Sequence, residues 1–404
     1  MAAHLPERIL WFDGTRYMLI ADHLLHDGGF GSLRDNRFSV PTQPLLLAAC
    51  RLLFGDNLLY LRLFFAVIGA TSCAVGYWIA RHLFGAVTAL LAGVGLALYP
   101  HYIYMSALFE YPQTFFILAM GAAFLAYYRY LRTQRLLELL GAGLALGMAV
   151  LTVPTVIPFV PALLAGALLN DRSRARVAAV LVLLLATVVP VGCWATRNYL
   201  QYGEPILVNR GGGFALWTAN NEDYYLHGKK AVTPPCAPGY TDNEFCRQLR
   251  SIQKQLRMQD VTGDAAVSKT DAAQWALGMQ FIRESWQRTI TFSLRKLMQF
   301  WSPWPDAVNT NGSYGGAAGV WLAVLAFLPL LLGGFAGLLL TVRRWRELLP
   351  IYAYFAVFSG VYSVFLPTTR YRLPLDFFLV IFSAYALSWL LLRSRATISM
   401  GTVS

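Results

Sequence analysis

Apolar stretches of about twenty residues recur along most of the chain, and they limit its possible folds more than any other feature. An α-helix needs roughly 20 predominantly apolar residues to cross the hydrocarbon core of a bilayer. Charged residues make up only 13% of the 404 residues, whereas about 25% is usual in a soluble domain. The chain is therefore predicted to be an all-α polytopic membrane protein. The nine candidate spans are residues 58–79, 84–102, 112–128, 136–152, 154–169, 177–196, 317–340, 349–367 and 373–392.

The arginines between these spans predict the orientation of the chain. If all nine spans are real, every arginine cluster falls on the same side, and loops rich in Lys and Arg stay in the cytoplasm. Because much of the net charge of +12 lies in these short loops, it indicates orientation rather than binding of nucleic acid. The clusters are Arg81; Arg129, Arg132 and Arg135; Arg172, Arg174 and Arg176; Arg343, Arg344 and Arg346; and Arg393 and Arg395.

This orientation divides the chain into four parts. They are an outer amphipathic first loop (1–57), a first set of transmembrane helices (58–196), an outer, periplasmic loop region (197–316) and the C-terminal transmembrane helices (317–404). Apolar residues in the first loop have a spacing that predicts an amphipathic helix on the membrane surface. These residues are Trp11, Tyr17, Ile20, Leu24 and Leu25.

Two of the five cysteines, Cys236 and Cys246, lie in the outer loop region around an Ala-Pro-Gly-Tyr segment. An oxidising exterior favours a disulfide between them. A metal site is the alternative, although His227 is the only imidazole near them in the sequence. A divalent metal is therefore possible but unassigned. The other three cysteines lie in or beside apolar segments and are predicted to be small buried residues; they are Cys50, Cys73 and Cys193.

Two carboxylates on the predicted outer side are candidates for catalysis. Asp13 lies between aromatic residues and a glycine, at the start of the predicted surface helix. There it could meet the head of a lipid-borne substrate and act as a general base, although an ordinary solvated charge is the simpler interpretation. Glu110 lies in a tight link between two spans, where a carboxylate is costly unless it is hydrated or paired. It could orient a sugar, bind a metal or pair with an arginine.

Arg370 and Arg372 lie on the predicted outer side, against the positive-inside trend. Anchoring at the interface is one interpretation. Binding of phosphate is the other, and it is favoured because a guanidinium forms forked hydrogen bonds with phosphate oxygens. Arg62, Arg197 and Lys296 are weaker candidates for the same role, since each could equally be an interfacial anchor.

With these residues the chain resembles the GT-C membrane glycosyltransferases, in particular the bacterial branch related to protein O-mannosyltransferases and to aminoarabinose transferases of lipid A. The resemblance runs through most of the chain and depends on the order of short motifs on one membrane side. The motifs are Asp13 to Tyr17; Pro41, Pro44 and Leu52-Leu53-Phe54-Gly55 followed by Arg62; Leu98-Tyr99-Pro100 with Glu110; Thr196-Arg197-Asn198-Tyr199 with Gly203, Gly212-Gly213 and Trp217 to Asn221; Lys296 with Trp301; and Arg370-Tyr371-Arg372-Leu373-Pro374.

The resemblance implies a GT-C-like helical bundle with outer amphipathic loop helices, in the bacterial inner membrane, with its active site facing the periplasm. A sugar would pass with inversion from a polyprenyl phosphate to a glycan, lipid or protein acceptor, and Asp13 would be the general base. The basic residues would hold the donor phosphate. Tyr17, Asn220 and Asn221 would lie in the substrate loops. The implied partners include membrane lipids but no nucleic acid, and no certain cofactor.

The sequence departs from the family pattern at its start. Family members have a helix before the first outer loop, and residues 1–8 lack an apolar core, so we expect an upstream helix to be missing from this chain. Two rival functions stay open, namely a flippase or transporter of lipid-linked sugar and an inactive truncated homologue. The prolines within 154–161 suit a broken transporter helix, but the predicted span centres are nearly free of charge, which favours chemistry at the surface.

Overall fold

The computed structural model describes residues 12–31, 39–108, 111–170, 176–228, 232, 243–259, 261, 263–305 and 317–401, without the side chains of 12, 13 and 394–401. Within these ranges every regular element is helical, which confirms the all-α class. The helices are α1 (Phe12–His26), α2 (Thr42–Phe54), α3 (Leu58–Phe84), α4 (Ala86–Leu98), α5 (Pro100–Ala107), α6 (Gln113–Thr133), α7 (Leu136–Thr152), α8 (Val160–Asn170), α9 (Arg176–Tyr202), α10 (Gly212–Ala219), α11 (Glu222–His227), α12 (Glu244–Met258), α13 (Gly263–Glu284), α14 (Trp286–Phe300), α15 (Ala317–Leu340), α16 (Trp345–Val364) and α17 (Thr369–Gly401).

Six of the described helices are long and apolar enough to cross a membrane, namely α3, α6, α9, α15, α16 and α17. Helices α4 and α5 form an apolar pair bent by 52° and can count as a seventh span. The chain is thus a multi-pass membrane protein, but the predicted count of nine is not confirmed. The other two predicted spans are short, because α7 has 17 residues and a 3₁₀ turn at Pro154–Phe159 precedes α8.

Glycines allow neighbouring helices of the bundle to pack closely. A Cβ added at Gly143 of α7 would lie 2.6 Å from the backbone oxygen of Leu183 in α9. Gly334 and Gly337 of α15 approach backbone oxygens of α17 in the same way, and Gly333 lies against the side chain of Ser383. Small residues at such contacts let transmembrane backbones approach one another. A larger residue at these positions would therefore force the helices apart.

Arginine-rich turns gather at one end of the bundle. Arg132 donates a hydrogen bond to the backbone oxygen of His82, and Arg344 Nη1 donates to the oxygen of Leu83 at 3.0 Å. Asn170 Nδ2 donates to the oxygen of Arg346 at 2.8 Å. These contacts agree with the predicted placement of the arginine clusters on one side. Arg172 and Arg174 lie outside the described residues, as does the side chain of Arg395. We call the opposite end of the bundle the outer end.

Helices at the outer end form a small region with its own core. Trp217 of α10 stacks on Phe245 of α12, with ring centres 4.1 Å apart. Asp271 of α13 accepts a hydrogen bond from the backbone nitrogen of Gly213 at 2.9 Å. Helix α14 then runs from this region to α16 and ends at Phe300.

The N-terminal helices α1 and α2 pack together and are joined by an ion pair. Arg51 Nη1 lies 2.6 Å from Asp22 Oδ1. The three cysteines predicted to be buried differ in exposure: Cys50 is buried as predicted, Cys73 is half-buried, and Cys193 of α9 is exposed. The prediction for Cys193 is wrong because apolar sequence does not reveal which face of a membrane helix packs against protein and which faces lipid.

Candidate functional site

Arg370 lies in the first turn of α17 at the outer end and is half-buried. Its guanidinium carbon lies 5.1 Å from the ring centre of Tyr111 and 4.9 Å from that of Tyr371. Its Nη2 also donates a hydrogen bond to Tyr371 Oη at 3.0 Å. Contacts with aromatic faces favour the charged guanidinium and limit its orientation. The structure therefore brings Arg370 to the α5–α6 link, the same link that carries Glu110.

A column of aromatic rings holds this arginine in place from behind. Tyr371 stacks on Tyr362 with ring centres 4.7 Å apart and an interplanar angle of 9°. Tyr362 in turn stacks on Phe300 at 5.5 Å. The hydroxyl of Tyr362 lies 2.9 Å from the Thr155 hydroxyl, in the 3₁₀ turn between α7 and α8. The position of Arg370 is thus set by side chains from α14, α16 and the 3₁₀ turn as well as from its own helix.

Lys296 of α14 is buried and ties three elements together. Its Nζ donates hydrogen bonds to the backbone oxygens of Val364 at 2.7 Å and Ala219 at 3.1 Å. It also donates to Asn220 Oδ1 at 3.3 Å, while Asn220 Nδ2 donates to the Val364 oxygen at 3.0 Å. Burial lowers the pKa of the Lys296 ammonium to about 7. These contacts give Lys296 and Asn220 a structural role, and they disfavour both as ligands of a substrate.

We expect Lys296 to make the protein more stable as the pH rises from about 7 to 10.5. The folded-state pKa is about 7 against an ordinary value of 10.5, so the unfolded chain binds more protons throughout this window. Stability rises with pH wherever the unfolded state binds more protons. Thermal unfolding in detergent at both ends of the window measures the rise. The rise in stability should be smaller in Lys296→Met. An equal rise in both proteins would contradict the assignment of the low pKa to Lys296.

Arg372 lies two residues after Arg370 but points into the core, where only 1% of it is exposed. Its Nη1 donates hydrogen bonds to the backbone oxygens of Phe300 at 3.1 Å and Ser302 at 2.6 Å. Its Nε lies 3.3 Å from Asp376 Oδ1. These contacts disfavour Arg372 as a phosphate ligand. The two arginines of the predicted pair therefore lie in different environments, and Arg370 alone faces the α5–α6 link.

Sequence reasoning missed Asp376, which is fully buried in α17. Its Oδ2 accepts a hydrogen bond from Tyr99 Oη at 2.9 Å, and Tyr102 Oη donates to the Leu373 oxygen at 2.8 Å. Both tyrosines flank the bend between α4 and α5, so this network ties the bend to α17. A signal was present in the sequence, because an acidic residue inside a predicted span, four residues after an arginine, indicates a pair.

Arg197 lies near the outer end of α9 and is surrounded by aromatic rings. Its guanidinium carbon lies 5.0 Å from the ring centre of Trp194 and 5.1 Å from that of Phe30. Its Nη1 donates a hydrogen bond to Tyr202 Oη at 3.2 Å, and Tyr202 Oη donates to the Gly31 oxygen at 3.3 Å. Arg197 therefore helps to fasten the segment after α1 to the end of α9.

The structure describes only some of the remaining predicted residues. Asp13 lies in the first turn of α1, with its side chain outside the described atoms, and Glu110 lies outside the described residues. Tyr17 is buried in the core that α1 forms with α2 and α3. Asn221 caps α11, because its Oδ1 accepts a backbone hydrogen bond at 2.8 Å. Arg62 is exposed near the start of α3. Tyr17 and Asn221 thus support the fold in the positions where the structure places them.

The possible metal and the predicted disulfide both depend partly on residues that are not described. In the described ranges, no group of three or more His, Cys, Asp or Glu side chains is placed to hold a metal ion. Cys246 is disulfide-bonded. Its predicted partner, Cys236, lies outside the described residues, so the pairing stays a prediction.

Two comparisons relate this architecture to known proteins. Residues 39–194 match the family model of dolichyl-phosphate-mannose-protein mannosyltransferases. The archaeal oligosaccharyltransferase AglB from Archaeoglobus fulgidus, in complex with an inhibitory peptide and a dolichol-phosphate, is similar over 97% of this chain and 48% of its own, with 17% identity and a TM-score of 0.54. The chain has the GT-C fold.

Other solved structures resemble this GT-C chain as well. The apo oligosaccharyltransferase of Archaeoglobus fulgidus is similar over 98% of this chain and 48% of its own, with 16% identity and a TM-score of 0.56. The ArnT of Cupriavidus metallidurans bound to undecaprenyl phosphate is similar over 94% and 74%, with 17% identity and a TM-score of 0.41. The GT-C chain spans about half the length of the oligosaccharyltransferases. Curated protein sequences contain no match to it.

Proposed function

We propose that the chain is a glycosyltransferase that moves a sugar from a polyprenyl phosphate to an acceptor at the outer face of a bacterial inner membrane. The GT-C fold supports this proposal, and so does the match of residues 39–194 to a family named for a dolichyl-phosphate-linked mannose donor. A dolichol-phosphate is bound in the AglB structure, which has the same fold. A donor carried by a lipid reaches the site laterally, so the chain needs no nucleotide-binding domain.

The observation that carries the proposal is the position of Arg370. Its half-buried guanidinium lies at the outer end of the bundle, held between Tyr111 and Tyr371. An arginine at this place can neutralise a phosphate at the head of a lipid, and a guanidinium suits the geometry of phosphate oxygens. Arg62 is exposed near the outer start of α3, and we retain it as a second candidate for the same phosphate.

The proposed reaction is a single displacement at the anomeric carbon of the donor sugar. An acceptor hydroxyl attacks this carbon, the bond from carbon to phosphate oxygen breaks, and the configuration inverts. Asp13 takes the proton of the attacking hydroxyl, and the polyprenyl phosphate leaves with the bonding electrons. Arg370 stabilises the negative charge that grows on the phosphate as the bond breaks. The acceptor is a glycan, a lipid or a protein.

Arg370→Ala tests the phosphate role. Loss of a hydrogen bond to a charged group costs about 1.5–3 kcal/mol, which corresponds to a donor KM about tenfold to a hundredfold higher. The measurement is transfer of labelled sugar from a polyprenyl-phosphate donor in membranes that contain equal amounts of each variant. Arg370→Lys keeps the charge without the planar fork, so we expect an intermediate KM.

Arg343→Ala is the matched control. Arg343 also lies beside a span, but it is exposed and lies at the arginine-rich end of the bundle. Its replacement should leave the donor KM unchanged. An unchanged donor KM in Arg370→Ala would show that Arg370 is an interfacial anchor and would remove the main support for the proposed phosphate site.

A further inference from the structure

Helix α14 is not one of the candidate membrane spans. Its surface has three distinct faces. Successive residues of an α-helix are about 100° apart, and the side chains of α14 sort by this angle into buried, polar and apolar exposed sets. The buried face packs on the outer region and on α16; it consists of Phe292, Lys296 and Phe300. The polar face carries Arg288, Thr291 and Arg295, all exposed. The third face presents large apolar side chains outward.

The third face is a regular row with one residue per turn. Its members, with their exposed fractions, are Trp286 (59%), Ile290 (53%), Leu294 (55%) and Met298 (67%). We call these four residues the apolar row. Large contiguous apolar patches are rare on surfaces that face water, and they mark places where lipid or another molecule covers the protein. The row therefore needs an apolar environment.

The apolar row leads directly to a membrane-spanning helix. Four residues after the end of α14, Trp304 packs edge-on against Trp321 of α15, with ring centres 5.2 Å apart. Both tryptophans are about half exposed, and Trp321 lies in the second turn of the span α15. Exposed tryptophans at the end of a span are typical of the boundary between membrane and water. The exposed apolar surface continues down α15 through Leu322 and Leu325.

The polar face of α14 turns toward the outer region instead. Arg288 Nη1 donates hydrogen bonds to both carboxylate oxygens of Glu222, at 2.8 and 2.9 Å. The guanidinium carbon of Arg295 lies 5.4 Å from the ring centre of Tyr225. A helix with one buried face, one charged face and one exposed apolar face fits the junction of protein, water and bilayer, where amphipathic helices lie.

We propose that α14 is docked on the outer leaflet of the membrane, with the apolar row inserted at the boundary between headgroups and acyl chains. The continuity of the row with the lipid-facing side of α15 selects lipid as the occupant. Docking would hold Lys296, on the opposite face of the same helix, at a fixed height above the bilayer. This inference depends on the exposed surface of α14 and α15 and is independent of the proposed transferase activity.

Collision measurements on nitroxide spin labels test the docking. Single labels are attached to the full chain in Ile290→Cys, Leu294→Cys and Thr291→Cys variants, in a Cys193→Ser background because Cys193 is exposed. The protein is placed in vesicles of phosphatidylcholine and phosphatidylglycerol. Oxygen concentrates in the bilayer and a nickel chelate stays in water. The ratio of oxygen to nickel collisions should exceed unity at positions 290 and 294 and fall below unity at position 291.

Position 291 is the matched control, since it lies on the same helix and is exposed on the polar face. A ratio below unity at both 290 and 294 would place the apolar row in water and overturn the proposal. Few collisions with either reagent, together with broadening that grows with the fraction of labelled protein, would show that a second copy covers the row. That result would also overturn it. Activity is not measured, so failure here leaves the proposed function untouched.

Discussion

Replacing Asp13 by asparagine is expected to slow sugar transfer by about 10²–10⁴-fold. An acceptor hydroxyl has a high pKa and attacks slowly unless its proton is accepted as the new bond forms. Asparagine keeps the shape of the side chain but cannot accept that proton. Asp13 lies in the first turn of α1. The fold should change little because asparagine keeps the shape of the side chain, and the donor KM should change little because the proposed phosphate ligand is Arg370. The measurement is the rate at saturating donor, with the amount of folded protein checked for each variant.

Two matched variants make this test specific. Asp27→Asn changes an exposed carboxylate just after the other end of α1, where Asp27 is paired with His23, and it should transfer sugar at the parental rate. Glu110→Gln changes the other candidate carboxylate and should have a smaller effect than Asp13→Asn. Transfer at the parental rate by Asp13→Asn would contradict the proposed base. Transport of lipid-linked sugar would then become the stronger hypothesis.

Replacing Asp376 by alanine is expected to lower the free energy of unfolding by about 3–5 kcal/mol. Removal of one partner from a buried ion pair leaves the other charge without compensation, and Arg372 is almost completely buried. The Tyr99 hydroxyl would also lose its acceptor. Cys50 is buried in the folded protein and Cys193 is exposed, so in a Cys193→Ser background the reaction of Cys50 with a thiol-specific dye during heating reports unfolding.

Two further variants separate the charge from the loss of packing. Ser388 lies in the same helix and shares a neutral buried hydrogen bond of 2.8 Å with Thr88, so Ser388→Ala should cost about 0.5–1.5 kcal/mol. A double variant, Arg372→Met with Asp376→Leu, removes both charges and should recover part of the loss. If Asp376→Ala costs no more than Ser388→Ala, the ion pair does not stabilise the bundle.

The helical class and most helix positions could be predicted because the apolar pattern alone determines them. Six of the predicted spans became helices long enough to cross a membrane. The number of crossings was harder to predict, because the length of an apolar segment distinguishes a membrane span from a shorter packed helix only poorly. Residues 136–152 show this: α7 occupies the predicted range, but with 17 residues it falls just short of a confirmed crossing.

The candidate site was predicted less completely, because a motif does not reveal where its side chains point. Arg370 and Arg372 are two residues apart in one helix, about 200° apart around its axis. One therefore faces the α5–α6 link and the other faces the core. Lys296 and Asn220 show the same limit. Each belongs to a motif that the resemblance marks as functional, yet their polar atoms are used by backbone groups and by each other.

The contacts of Lys296 and Arg372 also affect how far the amino-acid sequence of such a protein can change. Both cations bind main-chain oxygens, those of Ala219 and Val364 in one case and of Phe300 and Ser302 in the other. Every residue type carries such an oxygen. Substitutions at positions 219, 300, 302 and 364 therefore leave these acceptors in place, even though the Phe300 ring has a separate role in packing on Tyr362. Loss of either cation, in contrast, removes the connection. A connection of this kind depends on one side chain and on the course of the backbone, so it tolerates more change in sequence than a contact between two side chains does.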